Sequence, residues 1–531
     1  MPAFEFTDDD RIPKGHSYLT VHGIFDVKMD LTRKFRLVAD GHKTPEPTES
    51  VYSSVVSQDS VCLFFLLAAL NNHLNVLSAD IQNAYLSAPT KETLWTRAGP
   101  EFGPDYEGRP CKIVRALYGL RGSGKAFHDH LAEHLRQLGF KSSRADPDVW
   151  MRPGVKKNGD LYWQYVISYV DDICCAMETP NVFMDALGER LVLKEGSVKE
   201  PDMYLGADVK KYYIEGSDDP AKPRWAMSSE SYVKRAIADV ETELKKIEKR
   251  LPTKISTPLT SNYRPELDLT AELNAERLNY YQGLIGVLRW ICELGRLDIL
   301  MPVSLLSRYL ASAREGHLDQ AFHIFAYLKA HDRSTMVFDD SYPTFDNARF
   351  KECDWSELYP DASEVLPAWM PEARGKCVVM SCFVDADHAG CRETRRSHSG
   401  IIIYVNCAPI LWYSKRQNTV EASTYGSEML AMRIAIEMIE GLRYKLRMFG
   451  VPVDGPCNVF CDNNGVVLNT TVPESKLTKK HAAINYHRVR ESIASHTIRV
   501  AKEGTKTNLA DVLTKLLDGV TLRGLMYRIL W

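Results

Sequence analysis

The chain has 531 residues, 45% of them hydrophobic and 25% charged, which excludes wholesale disorder, a collagen-like repeat and a coiled coil and is too long for one compact domain of roughly 150 residues. Its 66 Lys and Arg against 69 Asp and Glu leave a net charge of −3, so a polyanion would have to be held by local basic surfaces and not by the overall field. The longest apolar run, Val61 to Leu70, falls short of the about 20 residues that cross a bilayer. Nothing at the start reads as a secretory signal, so the expectation is an intracellular protein with no membrane partner. Twelve cysteines without a Cys-x-x-Cys pair argue for reduced, packed thiols, with neither a zinc knuckle nor a disulfide framework.

Residues 1–30 are polar, include the acidic run Asp8, Asp9 and Asp10, and show no periodicity, which predicts a loose lead-in. From Val51 an apolar helix-like stretch (Val61 to Leu70) alternates with short strands (Leu74 to Ala79, Tyr162 to Tyr169), an α+β organisation assigned to residues 31–215. Residues 216–330 are expected to be mostly helical, because Tyr281, Leu284, Leu288 and Ile291, and again Ala321, Ile324, Phe325 and Leu328, recur at spacings of three and four. Periodicity vanishes over 331–376, where Pro343, Pro360, Pro367 and Pro371 lie among acids and aromatics, as in a tether or insertion. Residues 377–517 then read as strands Cys377 to Val384, Gly400 to Val405 and Ile410 to Tyr413, a helix from Ser423, a strand Asn458 to Cys461 and more helix. That order is β-β-β-α-β-α, and residues 518–531 are left as a tail.

Tyr169-Val170-Asp171-Asp172 separates two apolar stretches and predicts a hairpin with two acids at its tip. Adjacent carboxylates repel unless a cation relieves them, and hard oxygen ligands suit Mg²⁺; the plain alternative is a solvated turn. A further strand, from Val76, runs into Asp80. That acid is the third carboxylate which a two-metal phosphoryl-transfer site needs.

The segments Asp80-Ile81-Gln82-Asn83-Ala84-Tyr85-Leu86, Ala116-Leu117-Tyr118-Gly119-Leu120-Arg121 and Tyr169-Val170-Asp171-Asp172, in that order, resemble the core motifs of copia-type LTR-retrotransposon reverse transcriptases. The resemblance implies Asp80, Asp171 and Asp172 as polymerase metal ligands, with the Ile81 carbonyl as a further candidate. It sets Tyr85 against the sugar of the incoming nucleotide, where a ring would exclude a 2′-hydroxyl, and Arg36 toward the triphosphate. The plain readings are a core aromatic for Tyr85 and a solvated surface cation for Arg36. Gly119 to Lys125 has the spacing of a phosphate-binding P-loop, but Ala126 stands where a hydroxyl should reach Mg²⁺, so an ATPase is set aside. The same stretch replaces the family's Gln-Ala-Pro-Arg run with Gly122-Ser123-Gly124-Lys125, which bears on nucleotide affinity and leaves Lys125 as a charge contact. Tyr169, and Tyr204 and Gly206 of Tyr204-Leu205-Gly206, are the implied nucleic-acid contacts. Tyr280 to Gly286 and Arg296 to Ile299 resemble the family's thumb helices and are read as packing features.

Asp385, Glu428, Asp462 and Asp511 each stand at the end of an expected element, where any one alone fits a cap or strand end. Together they resemble the Asp-Glu-Asp-Asp set of RNase H. Phe383 to Gly390, Arg396 to Gly400, Tyr413 to Gln417 and Lys480-His481 ahead of Tyr486-His487 extend the likeness, which covers about residues 30 to 517. It implies that these four acids hold two Mg²⁺ ions, with Mn²⁺ as an alternative, against RNA that is read by its 2′-hydroxyls. Glu421 is the fallback for Glu428, and Asp387 competes with Asp385. His481 and His487 lack a cysteine partner at zinc spacing. Lys476, Lys479, Lys480, His481, Arg488 and Arg490 form either a basic stripe for a duplex backbone or a solvated helix face.

The expectation is an α+β multidomain protein: a right-hand polymerase of fingers and palm (31–215) and helical thumb (216–330), followed by an RNase H-like α/β domain (377–517). Its implied activities are RNA-directed DNA polymerase and ribonuclease H, with RNA template, DNA primer or RNA–DNA hybrid and deoxynucleoside triphosphates as partners. The resemblance also implies a polyprotein origin, a location in cytoplasmic virus-like particles and the nucleus, and allows a homodimer. The competing readings are a nuclease whose polymerase half has decayed and a catalytically dead, domesticated nucleic-acid-binding protein.

Overall fold

The computed structural model describes residues 2–7, 11–27, 33–44, 50–71, 74–215, 219–260, 262–477 and 479–531; the run Asp8 to Asp10 lies outside them. The chain divides into two compact units, residues 1–57 with 74–201, and residues 58–73 with 202–531.

In chain order the first unit opens with β1 (Phe4–Phe6), β2 (Ser17–Tyr18), β3 (Val21–Val27) and β4 (Arg33–Ala39). Helix α1 (Gln58–Leu70) belongs to the second unit. Then β5 (Asn75–Asp80), α2 (Ala84–Ser87), β6 (Pro89–Arg97), β7 (Pro110–Arg115), α3 (Ser123–Gln137), β8 (Lys141–Ser142), β9 (Val149–Val155), β10 (Leu161–Tyr169), β11 (Asp172–Met177) and α4 (Pro180–Gly188) complete the first. The expected lead-in is therefore structured. Strand β1 pairs with β7, β2 with β6, and β3 with β4, and Phe4 and Phe6 set their rings 4.9 Å from Phe102 and 4.6 Å from Tyr106.

The sheet that matters for chemistry runs β5-β11-β10-β9-β8. Ile173 to Met177 are all buried, the continuous apolar run of a strand covered on both faces. A two-residue turn, Val170-Asp171, joins β10 to β11, with Tyr169 opposite Asp172. Val170 takes φ 55°, a left-handed conformation that costs a β-branched residue about 1–3 kcal/mol and is held only by its surroundings.

In the second unit α1 is followed by β12 (Met203–Tyr204), β13 (Ala207–Tyr213), β14 (Pro223–Ser228), α5 (Glu230–Lys246), α6 (Ala275–Glu293), α7 (Leu300–Leu306), α8 (Glu315–Ala330) and β15 (Thr335–Val337). Helix α1 is buried on every side from Ser60 to Leu70, as the unbroken apolar run Val61 to Leu70 demands. Strands β12-β13-β14-β15 form one sheet, so β14 interrupts the stretch expected to be helical and β15 the stretch expected to be a tether. The rest of that stretch is irregular but docked. Phe345 and Phe350 lie 5.4 and 5.7 Å from the Phe460 ring, and Glu364 receives the Arg443 guanidinium through two 2.9 Å hydrogen bonds. Despite partial burial, Arg443 and Arg447 hold Glu364 down at about 2.

The C-terminal sheet is built from β16 (Met380–Ala386), β17 (His398–Val405), β18 (Ala408–Arg416), β19 (Cys457–Cys461) and β20 (Ile498–Lys502), with α9 (Thr424–Met448), α10 (Asn464–Thr471), α11 (Ala483–Ala494) and α12 (Gly519–Met526). Its order is β18-β17-β16-β19-β20: antiparallel on the β17 side of β16, parallel on the β19 side. Strand β20 is absent from the order expected from sequence, being only five residues long. Residues 518–531 are no tail, since Asp518 caps α12 and Leu522, Leu525 and Met526 are buried. All twelve cysteines are free thiols, and among the described residues no helix is long and apolar enough to cross a membrane.

Candidate functional site

The first acid set is assembled by strand register. Asp172 opens β11 directly opposite Asp80 at the end of β5, and Asp171 is the last turn residue before it. Like charges placed opposite each other across a ladder repel. Burial, then Asp171, then Asp80 push Asp172 up to about 6, against a smaller lowering by Lys194. Lys194 brings its ammonium 3.3 Å from Asp80 Oδ2. The backbone is pinned as well: Ile81 N–H donates to the Asp171 carbonyl at 2.9 Å, Lys194 N–H to the Asp80 carbonyl at 2.9 Å, and Asp80 N–H to Ser197 Oγ at 3.2 Å.

A cavity of about 430 Å³ opens beside these acids, lined among others by Arg36, Asp80, Ile81, Tyr118, Asp171 and Lys194. Arg36 and Ile81 are thus brought to the acids, with Arg36 5.5 Å over the Tyr118 ring and 3.9 Å from Asp26. Tyr85 packs 5.0 Å from Tyr118; burial, then Tyr118 and Asp171, raise its phenol. Tyr169 ends β10 at the turn. Lys125 does not line that cavity and forms an ion pair with Asp129 on the next turn of α3. Gly122 to Lys125 make no phosphate loop: the Gly122 N–H already donates to the Glu92 carboxylate at 3.3 Å, and Ser123 opens α3. Tyr204 and Gly206 lie in the second unit. There Leu205 (φ 51°) and Gly206 (φ 83°) form the tight turn between β12 and β13. Tyr204 itself is buried, so its ring is withheld from any strand passing outside.

The second acid set is closer. Single carboxylate oxygens of Asp385, Asp462 and Asp511 all lie within 4.8 Å of one another, the one such group of three among the described residues; Asp80, Asp171 and Asp172 do not close to that spacing. Asp385 is the penultimate residue of β16, Asp462 follows β19, and the parallel pairing of these strands sets the two side by side. Asp511 is carried by a 3-10 turn (Leu509–Leu513), anchored where Asn508 Nδ2 donates to the Val384 carbonyl at 3.0 Å. The turn approaches β17 so closely that a Cβ on Gly400 would lie 2.8 Å from the Ala510 carbonyl oxygen.

Glu428 is buried in the first turns of α9, and its Oε2 has no hydrogen-bond partner. Burial first, then Asp385 and Asp462, raise it well above the usual carboxylate range. Burial and Asp385 also raise Asp462 and bring Asp511 to about 6. Of the competitors, Glu421 accepts from Thr419 Oγ1 at 3.0 Å, and Asp387 is occupied by the His398 backbone N–H.

Sequence reasoning missed Lys515. Its ammonium sits 2.7 Å from Asp511 and 3.2 Å from Asp385, and these acids hold it protonated against burial. Thr514 Oγ1 donates to Asp385 as well. The Asp511 to Lys515 spacing of four was the available signal.

The basic stripe divides in two. Lys480 and His481 are exposed on the 3-10 turn ahead of α11. Arg488 pairs with Glu440, and Arg490 is buried, donating to the carbonyls of Asn469, Val472 and Pro473 and lying 4.7 Å over Trp355. His487 is taken by the Tyr359 hydroxyl at 2.8 Å.

A family model described as reverse transcriptase (RNA-dependent DNA polymerase) matches residues 8–215. The retrovirus-related Pol polyprotein from transposon RE1 of Arabidopsis thaliana is 25% identical, over 96% of this chain and 32% of its own length. That from transposon TNT 1-94 of Nicotiana tabacum is 23% identical, over 95% of this chain and 35% of its own length. The chain spans about a third of the length of these relatives. Among solved structures, RNase H1 from the archaeon Halobacterium salinarum is 14% identical, covering 25% of this chain and 93% of that one with a TM-score of 0.21, too slight a likeness to bear on the fold. Residues 8–215 thus match the reverse transcriptase family model, and over most of its length the chain is similar to the Pol polyproteins of transposons RE1 and TNT 1-94.

Proposed function

We propose that the chain is an RNA-directed DNA polymerase with ribonuclease H activity, extending a DNA primer on RNA with deoxynucleoside triphosphates and degrading RNA of the resulting hybrid. The observation that carries the reading is the presence of two separate carboxylate sets, each assembled from segments distant in the chain, in which burial and the neighbouring acids raise Asp172 in the first and Glu428, Asp462 and Asp511 in the second. Mutual repulsion of this kind is what a divalent cation relieves. The partnerless Oε2 of buried Glu428 fits the same need, since a buried polar atom without a partner calls for one. Divalent ions, when bound, supply the positive charge that lowers the barrier to phosphoryl transfer. In the first set Asp80, Asp171 and Asp172 would hold them; in the second, Asp385, Glu428, Asp462 and Asp511.

The surrounding residues have definable tasks. Arg36, on the cavity wall, pairs with a triphosphate, and a guanidinium fork suits that anion. Tyr85, braced by Tyr118, stands next to Asp171 as a rigid ring that would exclude a 2′-hydroxyl by contact. Lys194 and Lys515 balance charge within the sets and hold the acids in place. The sheet carrying the first set is read as palm, β3 and β4 as fingers and α5 to α8 as thumb. Replacing Asp171 and Asp172 by Asn and assaying primer extension with Mg²⁺ tests the polymerase; undiminished extension would overturn the assignment. Asp385→Asn tests the nuclease through cleavage of an RNA–DNA hybrid.

A further inference from the structure

The second unit contains a cleft of about 510 Å³ that is lined by Arg289, Ser307 and Arg308 from the α6–α7 region and by Lys415, Arg416 and Asn418 at the end of β18. Among the described residues none of these four cations forms an ion pair. Arg289 Nε donates to Ser307 Oγ at 2.9 Å and Arg308 Nη2 to Cys391 Sγ at 3.1 Å; against burial, hydrogen bonds from Thr394 and then Arg308 bring that thiol down to about 7, while Arg289 has only a neutral hydroxyl for a partner. The one acid lining the cleft is Glu293, which burial pushes up, against four cations. Burial, then Arg308, and in smaller measure Arg416 hold the His398 imidazole at about 4, so cations from both walls act on one buried ring. Cations gathered in this way from separate segments focus a positive field that attracts anions.

The position of the cleft indicates which anion. Asp385 is in register with Gly400, and Gly400 with Ser414, so one row of the sheet leads from the second acid set to the edge of the cleft, about 10 Å away across two strand spacings. Ser414 Oγ donates to the Leu513 carbonyl at 2.7 Å, tying that edge to the turn that carries Asp511. Arg416, two residues beyond Ser414, shares the face of Asp385.

We infer that this cleft grips the phosphate backbone of an RNA–DNA hybrid whose neighbouring segment lies over Asp385, Glu428, Asp462 and Asp511, and that Arg289, Arg308, Lys415 and Arg416 are positioning residues for that duplex. The inference rests on the nuclease reading for its choice of duplex, but binding can be measured without catalysis. The planar forks of three arginines suit phosphate, and Lys415 adds a point charge.

The test uses the full chain in EDTA with a fluorescently labelled hybrid of about 20 base pairs, its affinity followed against salt. In the variant Arg289→Gln, Arg308→Gln, Lys415→Gln, Arg416→Gln, affinity should fall at least about 10-fold. The slope of log K against log salt should become shallower by about 3–4, close to 0.9 for each phosphate no longer neutralised. The double variant Lys415→Gln, Arg416→Gln, confined to the strand end, should lose about half of that slope. Charge-keeping replacements (Arg289→Lys, Lys415→Arg, Arg416→Lys) should retain it, which a purely structural role would not predict. Parental affinity and slope in both Gln variants would overturn the cleft, as would a parent that binds no hybrid. If the Gln variants lose binding while the parent cleaves nothing, the cleft stands and the nuclease reading falls; if the parent cleaves and the Gln variants bind normally, the reverse holds.

Discussion

Asp172→Asn should make the metal-free first unit more stable at neutral pH and leave it unchanged in acid. Asp172 faces Asp80 across the ladder and follows Asp171, and burial with these two charges brings it from 3.8 to about 6. Because the folded value lies above the unfolded one, the native state binds the extra proton between about pH 4 and 6, and stability falls as pH rises through that window. Below it the acid is protonated in both states and no penalty exists; above it the penalty is complete. At full ionisation the displacement corresponds to about 3 kcal/mol, which solvent reaching this half-buried group screens to about 1–2 kcal/mol. Asn keeps the shape and removes the charge. Hydrogen exchange of the β10 and β11 amides reports the local effect: in EDTA at pH 7.5 the variant-to-parent ratio should show exchange slowed by about 5–30-fold, with a ratio near one at pH 4. Adding Mg²⁺ should slow exchange in the parent more than in the variant. Faster exchange in the variant at pH 7.5, or a gain that does not change with pH, would refute the account of repulsion at the strand end.

Asp385→Asn and Glu428→Gln should each cut hybrid cleavage by at least about 100-fold while primer extension by the same preparations stays within about twofold, the two acid sets being independent. Stripping divalent ions with EDTA should stop both reactions, and restoring Mg²⁺ to about 100 times its dissociation constant should stabilise the protein against unfolding by about 2.7 kcal/mol. Arg36→Ala should raise the KM for deoxynucleotides at least about 10-fold by removing charge-assisted hydrogen bonds, whereas Lys125→Ala, which breaks only the pair with Asp129, should leave it within about twofold. Arg490→Ala should destabilise the second unit by about 2–4 kcal/mol in urea unfolding, because three part-buried carbonyls lose a charged donor from a buried guanidinium. Lys480→Ala, on the exposed turn, should change stability by less than about 0.5 kcal/mol.

What was legible in the sequence was mostly local. The hairpin tip at Val170-Asp171 shows because two apolar runs flank a two-residue turn, and α1 shows because every position from Val61 to Leu70 is apolar. The partnership of Asp80 with Asp172 is different in kind. Only the ordered motifs suggest it, and the register of β5 on β11 supplies the physical reason. Strands β1 to β3 escaped notice because short strands in polar surroundings carry little apolar alternation, and β20 because five residues, Ile498–Lys502, give too short a window. Charge was the least readable property. Arg490 and Lys480 stand in one basic stretch, yet one guanidinium is buried against backbone carbonyls and the other cation is exposed; composition along the chain does not distinguish an acceptor that belongs to the protein from a phosphate. Lys194 meets Asp80 across 114 positions, a pairing with no local signature, whereas Lys515 stands four residues after Asp511 and follows the helical spacing rule. The cleft lies at the far end of this scale: Arg289, Arg308 and the pair Lys415 and Arg416 belong to no single basic run, so their convergence depends on the packing of α7 against β18. A surface of that kind, made by tertiary packing alone, is how a chain with a net charge of −3 can present a strongly cationic surface to a polyanion.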